Sequence, residues 1–193
     1  MMRFRRAALL TLLLASTAIS VASAHPGHGP ADLSAGFLHP FSGWDHLLAM
    51  VAVGFWAAQR GGLSRWLMPA AFVSAMVLGA IAGIAGLAVP GVDLLILGSV
   101  FMLGLLVAGA VRLPLAGGIA LAALAGVFHG LAHGAEMPLD ADSFRFLAGM
   151  VAGTVVLHAL GLAGGLLAAK RRPAMIRWAG AGVVAGGIAL LLS

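Results

Sequence analysis

Apolar runs of about twenty residues, cut only by short stretches of Arg, Gly and Pro, recur along this chain and leave few folds open to it. A helix crossing a hydrocarbon core of about 30 Å needs about 20 such residues. Six stretches meet that length, at 38–59, 66–89, 92–111, 113–135, 144–168 and 174–192. Arg60-Gly61-Gly62, Pro90-Gly91, Arg112-Leu113-Pro114, Pro138-Leu139-Asp140 and Lys170-Arg171-Arg172-Pro173 fall between them. The expected fold is therefore an all-α membrane protein with six transmembrane helices over residues 38–193. Composition excludes the soluble alternatives. Only 9% of the 193 residues are charged and 62% are hydrophobic, whereas a soluble domain carries about 25% charged residues. That rules out a soluble enzyme, a disordered chain and a nucleic-acid binder, despite a pI near 11.6.

Residues 1–24 read as an address rather than as structure. Arg3, Arg5 and Arg6 precede the apolar run Ala7–Leu14, and Ala22-Ser23-Ala24 closes the segment. A basic start, a short apolar stretch and an A-x-A-like end make a secretory signal peptide. Cleavage after Ala24 would leave a short periplasmic segment, 25–37, that carries His25 and His28 and lowers the formal charge from +5 to +2. Orientation follows from the excess of Lys and Arg on cytoplasmic connections. Arg60 and Arg65, Arg112, and Lys170, Arg171, Arg172 and Arg177 mark the odd connections. Asp93 marks the second, and Glu136, Asp140 and Asp142 the fourth. The mature N-terminus and Ser193 are both expected outside.

Glycine is the packing residue of this chain, at 28 of 193 positions. Gly79-x-x-x-Gly83, Gly161-x-x-x-Gly165 and Gly182-x-x-x-Gly186 have the spacing that lets helices approach closely. Such small faces leave a monomer and a homo-oligomer both open. Trp44, Trp56, Trp66 and Trp178 fall near expected helix ends, where aromatic anchors sit in the lipid interface.

Few polar residues lie inside the spans, and those few are clustered. The first span carries His39, Asp45, His46 and Met50, and the fourth carries His129, His133 and Glu136. On one helix, positions 129, 133 and 136 are i, i+4 and i+7 and share a face. His39, His46 and Met50 form a similar stripe if the first helix starts near Pro40. Asp45 lies about 100° round from His46 on a regular helix. It is placed either at the edge of a site or behind a histidine, as an orienting carboxylate. Depth agrees between the two spans: Asp45 is 14 residues from Gln59 and His129 is 15 from Pro114, about 21 and 22 Å at 1.5 Å per residue. An ionisable group in hydrocarbon is expensive and faces a partner or a polar pathway, and no Lys or Arg lies at that depth. Imidazole suits Ni, Zn, Cu and Fe, and carboxylate broadens the site toward harder ions. The chain has no Cys, so neither a disulfide nor a thiolate site is open to it. His158 lies further inward, among Val156, Leu157 and Leu160, and reads either as a relay ligand or as a packing residue. His25, His28 and Asp32 read either as external metal capture or as solvated chain. Met50, Met102, Met137 and Met150 read as core filler.

At these residues the chain resembles the HupE/UreJ family of bacterial membrane proteins associated with hydrogenase and urease nickel supply. The two matching motifs are His39-Pro40-x-x-Gly43-x-Asp45-His46-x-x-Ala49-Met50 and Phe128-His129-Gly130-x-x-His133-Gly134-x-Glu136. The resemblance implies nickel uptake, with cobalt a further substrate, and functional roles for His39, Asp45, His46, His129, His133 and Glu136. The leading expectation is a Ni²⁺ permease rather than an enzyme, with no permanent cofactor and with Co²⁺ and Zn²⁺ as other ions its ligands suit. No nucleotide-binding motif is present, so the chain does not itself couple transport to ATP. Two other readings stand beside it: an intramembrane zinc hydrolase with Glu136 or Asp45 as general base, and a metal-sensing accessory subunit of a larger transporter.

Overall fold

A computed structural model describes residues 32–137, 140–172 and 174–193. The expected signal peptide, His25 and His28 lie outside the described residues. Within them the chain is all helix: α1 (Leu33–Ser42), α2 (Trp44–Arg60), α3 (Ser64–Ile84), α4 (Val92–Ala108), α5 (Leu115–Glu136), α6 (Ala141–Arg171) and α7 (Ala174–Leu192). Four of these, α3, α5, α6 and α7, are long and apolar enough to cross a membrane. The apolar α4 has 17 residues, as does α2.

The first expected span, 38–59, is not one helix. Asp32 starts α1 upstream of it, its Oδ1 accepting the Ala35 N–H at 2.7 Å and the Ser34 hydroxyl at 2.7 Å. Pro40 then lies inside α1 and not at a first turn. Proline has no N–H to give the fourth preceding carbonyl, and the helix ends two residues later. Gly43 is extended, at φ −89° and ψ 119°, and α2 starts directly after it. The result is a helix broken by a single residue, with His39 in the last turn of one piece and Asp45 and His46 in the first turn of the next.

Glycine seams hold the pieces together. Gly126, Gly130 and Gly134 of α5 face the carbonyls of Phe72, Met76 and Ala80 of α3, where a Cβ would collide with backbone. Gly79 and Gly83 face α5 in return. The matched order of these residues makes the two helices parallel. Along α6, Gly149 and Gly153 meet α1 at Leu33 and Phe37, and Gly161 and Gly165 meet α2 at Val51 and Ala58. One unbroken helix of 31 residues therefore splints both halves of the broken one. Gly104 and Gly180 bring α4 and α7 together. Of the spacings noted in the sequence, only Gly182 meets nothing within 4 Å; its mate Gly186 rests on Leu48.

α2 is the central element, packed against α1, α3, α4, α6 and α7. Its small residues Ala49, Ala52 and Ala57 are fully buried, with Met50, Val53 and Trp56. Trp44, Trp66 and Trp178 are exposed as interfacial anchors would be, but Trp56 has no exposed surface. It is a structural residue, donating its indole N–H to the Val111 carbonyl at 3.0 Å. Gln59 and Arg177 donate to the Val107 and Ala108 carbonyls, each at 2.9 Å. Gln59 and Arg177 thus reach carbonyls of the last turn of α4, where helical partners run out, and Trp56 reaches one in the connection beyond it. α3 ends at Ile84, short of the expected 89, because Gly86 turns the chain at φ +97°. Asp140 caps α6 through the Ser143 N–H at 2.7 Å, and that bond holds its carboxyl below the usual range.

Candidate metal centre

The bundle has two chemically distinct ends. Arg60, Arg177 and the Val107–Val111 backbone meet at one, through the contacts above and through Arg60 lying against Gly118. The histidines meet toward the other. His39 from α1, His46 from α2 and His133 from α5 bring one ring nitrogen each to within 4.8 Å of the others. Their ring centroids are 5.5 Å apart for His39 and His46, and 4.6 Å for each of these with His133. Nε2 of His46 faces Nε2 of His133 directly. Metal–imidazole bonds of about 2.0–2.1 Å place two ligand nitrogens no more than about 4.2 Å apart. Small side-chain rotations are enough to close this trio on an ion.

The broken helix explains the position of Asp45. Its Oδ1 accepts the His46 backbone N–H at 2.8 Å, an orphan donor of the first turn of α2, and lies 2.7 Å from His46 Nδ1. A carboxylate accepts only, so Nδ1 carries the proton and Nε2 keeps its lone pair for a ligand. Of the two placements open in the sequence, Asp45 takes the orienting one.

His129 lies one turn below His133 on α5, fully buried, with its ring 4.9 Å from His46. Its Nδ1 donates to the Ala125 carbonyl at 2.8 Å, and its Nε2 has no hydrogen-bond partner. Glu136 does not join the group: as the last residue of α5 it is exposed. The shared helical face expected for His129, His133 and Glu136 is real, but it leaves the interior before reaching position 136. Met50 is core, also without exposed surface. His158 is buried on α6 and donates from Nδ1 to the Met50 carbonyl at 2.7 Å, one turn of α2 below His46. Phe72 of α3, which no motif singled out, lies against both His129 and His158. A lone Phe in an apolar helix carries no sequence signal of such a position. Asp32, read as a candidate for external capture, is engaged as the cap of α1.

The HupE / UreJ protein family matches residues 11–190. Protein HupE of Rhizobium leguminosarum bv. viciae is 43% identical over 185 residues, covering 95% of this chain and 97% of that protein. The chain belongs to the HupE/UreJ family. Its motif residues are the ones that the fold gathers around the α1–α2 break, Glu136 excepted. With several long apolar helices, this HupE/UreJ member is a membrane protein. No solved structure matches it.

Proposed function

We propose that this HupE/UreJ protein is a permease of the bacterial cytoplasmic membrane that takes up a borderline divalent cation, Ni²⁺ foremost, for hydrogenase or urease maturation. One observation carries the reading: three histidines from three different helices converge inside an apolar bundle, and a carboxylate fixes the tautomer of one of them. In this reading His39, His46 and His133 hold the ion, Asp45 orients His46 and supplies the compensating charge, and His129 is the next ligand inward. Neutral imidazoles without thiolate bind Ni²⁺ reversibly, as conduction requires. Co²⁺ and Zn²⁺ fit the same donor set.

The proposed topology has six spans with both termini outside. α1 and α2 together form the first, and the separation of the basic end from the histidine end supports this arrangement. The hydrolase reading has no free carboxylate base at the trio: Asp45 is engaged by His46, and Glu136 is exposed at the end of α5, outside the cluster. Nickel accumulation in cells at matched protein level tests the site. Asp45→Asn and His133→Ala should each lower uptake from low nickel by about 10- to 100-fold. Wild-type uptake in both variants would overturn the assignment.

A further inference from the structure

Below the trio, two imidazoles share an unusual state. Nδ1 of His129 donates to the Ala125 carbonyl and Nδ1 of His158 to the Met50 carbonyl. A carbonyl only accepts, so in both rings Nδ1 carries the proton and the bare lone pair is on Nε2. Neither Nε2 meets a donor, although His129 is 0% and His158 3% exposed. Buried polar atoms are almost always paired, and an orphan calls for a functional or structural explanation. A buried imidazole lone pair with its tautomer fixed from behind is the form in which histidine binds a metal.

One side chain lies against both rings. The Phe72 ring is 5.4 Å from His129 and 5.0 Å from His158 by centroid, and it has no exposed surface. The backbone at Phe72 is clamped, since Gly126 of α5 packs on its carbonyl, so movement at this residue falls to the ring. Met76 and Thr154 are also fully buried, and the Thr154 hydroxyl meets the Met76 sulfur at 3.8 Å. Neither orphan ring has a carboxylate hydrogen-bonded to it, as His46 has in Asp45.

On the permease reading above, we infer that His129 and His158 are the two ligands of a second, transient cation position, with Phe72 as the gate between them. His129 receives the ion from His46, the Phe72 ring turns aside, and His158 takes the ion toward the basic end. The outer trio holds the ion with the Asp45 charge behind it. The inner pair holds it with neutral donors alone, and this weaker hold favours onward release.

The test uses the full chain in liposomes with a nickel-sensitive dye inside, and nickel titration of the same preparations in detergent. His158→Gln should keep nickel affinity within about threefold while inward flux falls about tenfold or more. His158→Cys should recover part of that flux and become sensitive to Cd²⁺, because a thiolate selects softer ions. The chain has no other cysteine, and a packing role at this position would not produce cadmium block. Phe72→Leu should conduct faster than wild type with unchanged binding. Wild-type flux in His158→Gln, or slower flux in Phe72→Leu with binding intact, would overturn the gate while leaving the permease standing. A wild-type protein that binds nickel but moves none would overturn both.

Discussion

Gly43 is where one atom decides most. Its backbone, at φ −89° and ψ 119°, is open to any residue, so no conformational freedom is at stake. A Cβ there would lie 2.9 Å from Asp45 Oδ1 and 3.0 Å from His46 Nδ1. The glycine leaves room for the carboxylate–imidazole pair. Gly43→Ala should leave thermal unfolding nearly unchanged while nickel affinity falls about tenfold, because the group that holds a ligand's ring in place contributes on that scale. Titration of the purified variant checks this. The sequence made the histidines legible at this scale, since His129 and His133 repeat at helical spacing and Asp45-His46 matches them in depth. It could not separate Glu136 from them, because periodicity records which way a residue points and not where the bundle ends. Phe72 was invisible for a related reason: its role comes from neighbours on α5 and α6.

Among the elements, glycines that look alike in sequence differ in what they touch. At Gly130 a Cβ would run into the Met76 carbonyl of α3, a backbone atom that cannot turn away. At Gly182 nothing lies within 4 Å. Gly130→Ala should therefore destabilise the protein by about 1–3 kcal/mol, as overpacking does, and weaken metal binding by displacing His133. Gly182→Ala should be neutral or stabilise by about 0.5–1 kcal/mol, the helical cost of glycine relative to alanine. Unfolding in detergent, run on both variants, reads the contrast. Hydropathy located these helices but missed the break at Gly43. An apolar average is unchanged when one residue leaves helical geometry, and Pro40 was compatible with a helix start. The α3–α5 seam was present in the sequence as Gly126, Gly130 and Gly134, but in a glycine-rich chain such spacing has many competitors.

Across the whole molecule, charge separates the ends. Arg60 and Arg177 lie at the end away from the histidines, with Arg112 in the connection that also meets there. If both termini face outside, Ser193→Cys in intact spheroplasts should react with a membrane-impermeant maleimide. Arg112→Cys should react only after permeabilisation. Each probe would be unique, because the chain has no native cysteine. The reverse labelling pattern would invert the topology and require transport outward through the same ligands. The expected orientation rests on the alternation of basic and acidic connections, which depends on where charges fall and not on how helices pack.

The three histidines of the trio come from α1, α2 and α5, so the cluster has a history as well as a geometry. During synthesis His39 and His46 enter the bilayer first and wait through two further helices for His133. Until α5 arrives and its glycines lock onto α3, the nascent protein has two of the trio's three imidazoles. A polypeptide released before that point carries no complete centre. Under the proposed permease function, incomplete products are thus kept from becoming unregulated holes for metal in the membrane.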